Sequence, residues 1–548
     1  MIKTRHLMRS FVVPLILVLS LTSAVAARRE RTIGAWRPVH YTVDLTLNEP
    51  LTEIVSARVA LQILVTKPTR LIDLDFGEMT TSSVKLDGSD VPFVHKDGML
   101  QVKPEKALMA GSRITLTISY RGKPKDGLIL TRDKDGEPSA VGDNWPNRLH
   151  HWIPSLDHPS AKATVTFNIT TSMDDLVVAN GRLDKVKTAS TSTRTWTYTE
   201  TAPIPPYCMI IAVGDFAKLP SLTSAVTPLS YYVPKSDTQH AQTGFAPSAP
   251  ALDLFSQLVA PYPYEKLAMI VGATRFGGME NSSAILFTQT LFDPKPDAKI
   301  SKTFGIPSGT VTLIAHEIAH QWFGDSVTES TWSDLWLSEG FATYFAGLFM
   351  KRHDGEDAFR EYMQKAAESY FAYEEKKSVP IFDPETENLL NLLNANNYQK
   401  GAWVLHMLHQ RLGDDLFFRG IQNYYQRHKN GIASTEDLRA AMEQTSGKNL
   451  REFFARWIYD SGHPEYELEW ESTAKKGSFK LTLNQVQRSN AFLDPVPIVV
   501  RTADGVQNLV IEPTGKQTVK LIQLGGPPLT IEVDPANTLL REVKPSKL

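Results

Sequence analysis

The sequence predicts an α+β protein of several domains: an antiparallel β region, then a mainly helical region, then a small β-sandwich. Apolar residues alternate with polar ones toward both ends of the chain, as in strands with one solvated face. Between those parts the apolar residues recur with a helical period. With 548 residues the chain is too long for one hydrophobic core, so several domains are expected.

The first β region extends from Tyr41 to about Val233, and its alternation indicates a predominantly antiparallel fold. Its clearest alternating run is Val55, Ala57, Val59, Leu61, Ile63 and Val65. Residues 234–250 follow with Ser, Gln, Gly and Pro, a composition typical of a linker.

The helical period dominates from Ala251 to about Gly462, and the alternation returns after His463. Turn-forming residues such as Asp504 and Gly505 separate the last runs, as in a small sandwich. We expect a signal peptide at 1–26, a β domain at 27–234, a helical domain at 235–462 and a β-sandwich at 463–548.

The composition argues against a nucleic-acid partner and fits a soluble globular protein. The 58 basic and 60 acidic side chains nearly cancel, and no run of five or more like charges marks a nucleic-acid arm. Apolar residues make up 42% and charged residues 22%, as in soluble globular proteins. Cys208 is the only cysteine, so a disulfide within one chain is excluded.

The N-terminus has the pattern of a secretory signal peptide. Lys3, Arg5 and Arg9 precede an apolar run from Phe11 to Leu21, and Ala24-Val25-Ala26 matches a cleavage site. The alternative is a membrane anchor, but this run is shorter than the roughly 20 residues that span a bilayer. We expect cleavage, a periplasmic or secreted protein, and no membrane span in the mature chain.

The central motif is His316-Glu317-Ile318-Ala319-His320, in a segment compatible with one helix. Residues four apart lie on one face of a helix, so both imidazoles can bind one ion. Glu317 follows the first ligand and can accept a proton from a bound water and deliver it to the leaving amine. The alternative interpretation is a pair of core histidines beside solvated glutamates.

A catalytic zinc needs three protein ligands and an open position. Glu339 is the third candidate, and the 18 residues between it and His320 allow a turn and a second helix. Two histidines and one glutamate form a donor set that suits zinc in a hydrolase. The predicted cofactor is therefore one zinc ion per chain.

The segment from His316 to Tyr344 resembles peptidase family M1, the gluzincin zinc aminopeptidases. Two further segments carry the resemblance: Gly277-Gly278-Met279-Glu280-Asn281 and Tyr398-Gln399-Lys400-Gly401. The family implies a saddle-like N-terminal β domain and a thermolysin-like catalytic domain. Because the sequence stops soon after its last β region, we expect it to lack the long helical C-terminal domain of larger members.

The resemblance implies a zinc-dependent aminopeptidase that cleaves the first bond of peptides with a free amino end. It assigns amine binding to Glu280 and stabilisation of the negative oxygen of the reacting carbonyl to Tyr398. Glycine at the start of the 277–281 segment lets the backbone approach the substrate. The substrate-binding candidates are Gly277, Gly278, Met279, Glu280 and Asn281.

The chain departs from the family pattern at two positions. Trp145 stands where many members have a second amine-binding carboxylate or amide, and tryptophan cannot replace a carboxylate. The neighbours that could act instead are Asp143, Asn144 and Asn147. Where members often have a glutamate that orients a ligand histidine, this chain has Ala346, and Asp325 is a candidate substitute.

Two other functions remain open from the sequence. One is an epoxide hydrolase or a dual-function relative, because the same zinc and tyrosine can activate an epoxide oxygen. The other is a catalytically silent zinc-binding module, which would be expected to lack the general base. The preferred first residue of the substrate and the oligomeric state are not indicated by the sequence.

Overall fold

A computed structural model describes residues 30–545, except 32, 221–223, 225 and 294–308. The expected signal peptide at 1–26 lies outside the described residues. In the described part, a β-rich region, a helical region and a final β region follow one another along the chain, which confirms the α+β, multidomain class. No helix in that part is long and apolar enough to cross a bilayer.

The first β region is built around an eight-stranded sheet of order β13-β14-β11-β1-β2-β8-β4-β5. A four-stranded sheet, β12-β15-β10-β9, and a three-stranded sheet, β3-β7-β6, pack with it. Neighbouring strands are antiparallel except β1 and β11. The strands are β1 Trp36–Leu47, β2 Ile54–Val65, β3 Ile72–Asp75, β4 Thr80–Leu86, β5 Ser89–Asp90, β6 Phe93–Lys96, β7 Met99–Val102, β8 Arg113–Gly122, β9 Leu128–Arg132, β10 Pro138–Gly142, β11 Ala163–Ser172, β12 Leu176–Ala179, β13 Arg182–Thr188, β14 Thr193–Ile204 and β15 Ile211–Gly214.

A five-stranded mixed sheet of order β16-β17-β18-β20-β19 leads into the helical region. Its strands are β16 Ala217–Leu219, β17 Leu229–Val233, β18 Leu267–Gly272, β19 Gly278–Met279 and β20 Ala284–Thr288. The described helices are α1 Thr238–Gly244, α2 Ser248–Leu258, α3 Thr310–His320, α4 Trp336–Asp354, α5 Glu356–Glu374, α6 Gly401–Leu412, α7 Asp414–His428, α8 Thr435–Ser446 and α9 Arg451–Trp457. A short parallel pair, β21 Val327–Glu329 and β22 Gly431–Ala433, joins the loops after α3 and α7.

The prediction of a linker at 234–250 is wrong. This segment contains α1 and the start of α2, and apolar residues such as Ala241 and Phe245 are buried. The small and polar residues that suggested a linker serve to pack short helices, since Ser248 Oγ binds the phenol of Tyr231 at 2.8 Å. Because β17 and β18 pair across residue 234, the expected boundary there falls inside one sheet. The other domain limits remain predictions.

Two facing sheets form the last β region, with orders β27-β24-β23-β29 and β26-β25-β28. Alternate side chains of β24 and β25 are buried, as a sandwich requires. The strands are β23 Glu465–Ser472, β24 Ser478–Gln485, β25 Val496–Thr502, β26 Gly505–Ile511, β27 Gln517–Gln523, β28 Thr530–Val533 and β29 Glu542–Val543.

A buried lysine fastens the first β region to the helical region. The ammonium group of Lys162 donates to the carbonyl oxygens of Asp325, Ser326 and Gly431 and to the hydroxyl of Thr328, at 2.7 to 3.1 Å. These acceptors lie in the loop after α3 and in the loop after α7. Burial lowers the pKa of Lys162 from 10.5 to about 7.

We expect Lys162→Met to lower the free energy of unfolding by about 1–3 kcal/mol, because it leaves buried carbonyl oxygens without a donor. The loss should grow between pH 7 and pH 9. Above pH 7 the folded lysine releases its proton while the unfolded one keeps it, so the wild type gains up to about 1.4 kcal/mol per pH unit. Urea unfolding at both pH values measures this gain.

The control is Lys365→Met, at a part-exposed lysine of α5 that pairs with Glu361. It should change stability little, and equally at both pH values. A loss at Lys162→Met that does not grow with pH would show that the buried lysine stays charged.

Candidate metal centre and active site

Two central helices carry the predicted metal ligands. Every residue of α3 from Thr312 to His320 is buried, and so is every residue of α4 from Trp336 to Phe349. Helices that are buried on all sides need apolar side chains around the whole circumference, which these sequences supply apart from the ligands. Helix α3 ends at His320, and the chain turns back through residues 321–326 toward α4.

The three predicted ligand atoms lie within 3.3 Å of one another. His316 Nε2 lies 3.1 Å from His320 Nε2 and 3.2 Å from Glu339 Oε2, and His320 Nε2 lies 3.3 Å from the same oxygen. Ligands at zinc–nitrogen and zinc–oxygen distances of about 2.1 Å in tetrahedral geometry are about 3.4 Å apart, close to these separations. The triangle therefore fits a single zinc ion held by His316, His320 and Glu339.

The charges at this point also favour a cation. The two imidazoles hold the pKa of Glu339 at about 2 against the effect of burial. Burial disfavours a charge on His320, but the carboxylates of Glu339 and Glu280 outweigh it and raise the pKa of that imidazole well above its usual value. An environment that stabilises a proton on a buried histidine stabilises a metal cation for the same reason.

The other nitrogen of His320 is fixed by the turn after α3. His320 Nδ1 lies 3.1 Å from the carbonyl oxygen of Phe323 and 3.0 Å from the hydroxyl of Ser338. A carbonyl oxygen only accepts, so Nδ1 carries the proton and Nε2 presents its lone pair to the metal position. Gly324, at φ 116°, allows this approach, because a Cβ there would stand 2.3 Å from Ser338 Oγ.

We expected Asp325 to orient one of the ligand histidines, but the partners of His320 Nδ1 are Phe323 and Ser338. The carboxylate of Asp325 instead accepts from the thiol of Cys208 at 3.1 Å and from the amide of Gln321 at 2.8 Å. The sequence missed Phe323 and Ser338 because a backbone carbonyl and a serine have no motif of their own.

Glu317 is buried beside the predicted metal ligands, and one of its carboxylate oxygens makes no hydrogen bond to the described residues. It is 2% exposed, and its Oε2 has no hydrogen-bond partner among the described residues. Burial raises the pKa of this carboxyl well above its usual value. Gly278 packs against it: a Cβ on Gly278 would lie 2.3 Å from Glu317 Oε1. Glycine at 278 therefore makes room for the Glu317 carboxylate.

The 277–281 segment forms the edge of the five-stranded sheet beside α3. Gly278 and Met279 pair with β20, and the carbonyl of Gly277 accepts from the backbone N–H of Thr288 at 3.0 Å. Asn281 is buried and its amide reaches the carbonyl of Met279 at 3.3 Å. The segment thus presents one strand edge to the metal position.

Glu280 lines a pocket together with His316, His320, Glu339, Glu317 and Tyr398. A carboxylate oxygen of Glu280, one of Glu317 and a ring nitrogen of His320 lie within 4.8 Å of one another. Burial raises the pKa of Glu280 to about 7. The backbone of Glu280 is tied to the end of α3, since Gln321 donates its amide N–H to the carbonyl oxygen of Glu280 at 2.7 Å and to Asp325 at 2.8 Å.

Gln321 is a positioning residue that sequence reasoning missed. Its amide oxygen accepts from the backbone N–H of Ser283 at 2.8 Å and from the phenol of Tyr262 at 3.0 Å. Gln321 therefore fixes the sheet edge relative to α3. The available signal was a polar residue directly after the second ligand of a buried helix.

Tyr398 lies in a single π-helical turn, Asn396–Lys400, that leads into α6. Its ring is parallel to that of His316, with centroids 6.0 Å apart, and its hydroxyl interacts with the carboxylate of Glu339. Burial keeps the pKa of the phenol well above 10. The phenol therefore remains a neutral hydrogen-bond donor beside the metal ligands.

A glycine pair brings the tyrosine turn close to α4. A Cβ on Gly340 would lie 2.9 Å from the Cα of Gly401, and a Cβ on Gly401 would lie 3.0 Å from the Cα of Gly340. Glu339 directly precedes Gly340, and Tyr398 lies three residues before Gly401. The contact of two backbones thus sets the separation of Glu339 and Tyr398.

Trp145 lies in this pocket, as the sequence register predicted. The neighbours that could have supplied a carboxylate or amide are largely occupied elsewhere. Asp143 pairs with Arg148 at 2.6 Å, and Asn144 donates to the carbonyl of Met209 and accepts from the indole of Trp152 at 2.9 Å. Asn147 lines a separate surface cavity. Within the part of the chain described, Glu280 is the amine-binding candidate that faces the pocket.

The sequence of this chain matches two models of one peptidase family. The Peptidase family M1 domain matches residues 248–457, and the Peptidase M1 N-terminal domain matches residues 37–208. Together the two matches cover more than half of the 548 residues.

Similar proteins bear the names of aminopeptidases. Aminopeptidase 2 of Candida albicans is 26% identical over 525 residues, which cover 91% of this chain and 56% of that protein. Glutamyl aminopeptidase of Homo sapiens is 26% identical, covering 78% of this chain and 47% of that protein. Probable aminopeptidase 1 of Sulfurisphaera tokodaii is 25% identical, covering 82% and 56%.

The chain spans about half the length of the curated relatives that it matches. The two domain matches and the ligand triangle at His316, His320 and Glu339 lead to one conclusion. The chain belongs to peptidase family M1.

Proposed function

We propose that this protein is a zinc-dependent aminopeptidase that hydrolyses the first peptide bond of peptides with a free amino end. The observation that carries the proposal is the meeting of three buried ligand atoms within 3.3 Å, beside the carboxylate of Glu280. Relatives named aminopeptidases support it. A zinc ion held by His316, His320 and Glu339 would supply a Lewis acid and lower the pKa of a water molecule.

Glu317 is proposed as the general base and acid. Its Oε2 has no hydrogen-bond partner among the described residues, so it can receive a proton and pass it to the leaving amine without breaking another bond. Gly278 supports this role, because it leaves space for the carboxylate on the side of the sheet edge.

Glu280 is proposed to bind the amino end of the substrate. A cationic amine is stabilised by a buried carboxylate, and a fixed distance from Glu280 to the metal ligands admits only the first peptide bond. Gly277 to Asn281 would hold the substrate backbone as an edge strand does. Tyr398 would donate its O–H to the carbonyl oxygen that becomes negative, a contact typically contributing a few kcal/mol.

The first test is a set of alanyl aminocoumarin substrates with free and acetylated amino ends, assayed with and without a chelator. We expect hydrolysis of the free form only, loss of activity on chelation, and recovery when zinc is added back. Equal hydrolysis of the acetylated form would contradict the role of Glu280. Full activity in the chelator would contradict the metal assignment.

The second prediction separates residues that hold the metal from residues that handle the proton. Glu317→Gln and Gly278→Ala should keep one zinc per chain and lose at least about 100-fold in kcat, because each disturbs the general base. Glu339→Gln should lose zinc as well as activity. Elemental analysis and steady-state kinetics on the same samples measure both.

Gly309→Ala is the matched control for the glycine variant, because a Cβ at Gly309 has no atom of the described residues within 4 Å. It should keep both zinc and kcat. If Gly278→Ala has wild-type kcat, the Glu317 carboxylate is not where catalysis needs it.

We also propose that the protein is exported, since residues 1–26 have the pattern of a signal peptide. When the full chain is expressed in a bacterium, the exported fraction should begin at Ala27. Intact-mass spectrometry measures this directly. An exported protein that keeps its first 26 residues would contradict cleavage and favour a membrane anchor.

A further inference from the structure

The pocket over the metal ligands has little free space. It contains about 20 Å³, and a single water molecule needs about 10–15 Å³. Its polar walls are the metal ligands with Glu280, Glu317 and Tyr398. Its apolar walls are Trp145, Phe276, Met279 and Leu393.

The first residue of a substrate must lie within this pocket. Its amine would be at Glu280 and its carbonyl carbon at the metal ligands, so its Cα and side chain lie between them. The apolar walls then face that side chain. Room for the side chain is therefore set by the walls, and above all by the largest of them, Trp145.

Trp145 is held rigidly where it stands. It is 3% exposed and makes edge-to-face contacts with Trp332, at 5.6 Å between centroids, and with Phe276, at 5.9 Å. Trp332 packs in turn against Tyr207 at 5.4 Å. Moving the indole would break a buried aromatic cluster, so the wall cannot easily yield to a larger substrate.

The buried indole N–H of Trp145 has no hydrogen-bond partner in the described part of the chain. Burying a donor without a partner is unfavourable, so the folded state gains no hydrogen bond from this tryptophan. Its contribution at this position is its packing against Trp332 and Phe276 and its bulk in the pocket.

We infer that the enzyme prefers peptides whose first residue has a small side chain, such as glycine, alanine or serine, and that Trp145 sets this limit. The inference rests on the proposed aminopeptidase function and names its substrate class. Rejection by size follows because methylene groups beyond the available space force walls apart, and each methylene commonly changes kcat/KM by roughly ten-fold or more.

The test is a series of aminoacyl aminocoumarins with unbranched side chains: glycine, alanine, 2-aminobutyrate, norvaline and norleucine. The series varies length without charge or branching. In the wild type we expect kcat/KM to peak at alanine or glycine and to fall by roughly ten-fold or more by norleucine. Norleucine hydrolysed as fast as alanine would overturn the inference while leaving the aminopeptidase proposal intact.

Trp145→Ala should move the peak toward norvaline or norleucine and raise the norleucine-to-alanine ratio of kcat/KM by roughly ten-fold or more. The matched control is Trp196→Ala, which removes a buried tryptophan of β14 whose indole N–H also lacks a partner among the described residues. That variant should keep the wild-type ratio. An unchanged ratio in Trp145→Ala would overturn the assignment of Trp145.

A binding measurement covers the case in which Trp145→Ala does not fold. Free amino acids are products that occupy the same pocket, so L-alanine should raise the melting temperature of the wild type more than L-norleucine at equal concentration. Equal or greater stabilisation by norleucine would overturn the size limit. Hydrolysis of no member of the series, with zinc present, would contradict the aminopeptidase proposal and the size limit together.

Discussion

The organising constraint is the concentration of negative charge in a buried pocket. Glu280, Glu317 and Glu339 are each at most 6% exposed, and Asp325 is fully buried next to them. Carboxylates removed from water are costly unless cations or hydrogen bonds compensate them. Two imidazoles compensate only part of this charge. The proposed zinc ion and the ammonium group of the proposed peptide substrate would together bring three positive charges. The negative charge of the pocket is therefore complementary to these two cations.

The fold positions part of this charged set by hydrogen bonds from outside the pocket. Ser338 and Phe323 hold the imidazole of His320, and Gln321 holds the backbone of Glu280. Lys162 reaches from the first β region into the loop that follows the metal helix. None of these groups forms the pocket wall, yet each removes freedom from one that does, which is how buried sites keep their geometry.

Sequence patterns predicted the order of the β and helical regions because periods of two and 3.6 residues reflect burial on one face. The convergence of His316, His320 and Glu339 was predictable because the histidines are four residues apart and Glu339 follows at a distance that permits a second helix. The roles of Glu280 and Tyr398 came only from family resemblance. The helices at 238–258 were missed because short helices rich in small residues resemble loops, and the supports of the site were missed because backbone carbonyls carry no sequence signal.

The crossing of Gly340 and Gly401 has one more consequence. Since no side chain lies between the two segments, their spacing equals the contact distance of bare polypeptide. The distance between the two backbones therefore does not depend on the sizes of the surrounding side chains. The rest of the helical core can exchange one apolar residue for another over time, and the phenol of Tyr398 stays at the same remove from the carboxylate of Glu339. The distance between these two side chains is therefore set by direct contact of the two backbones.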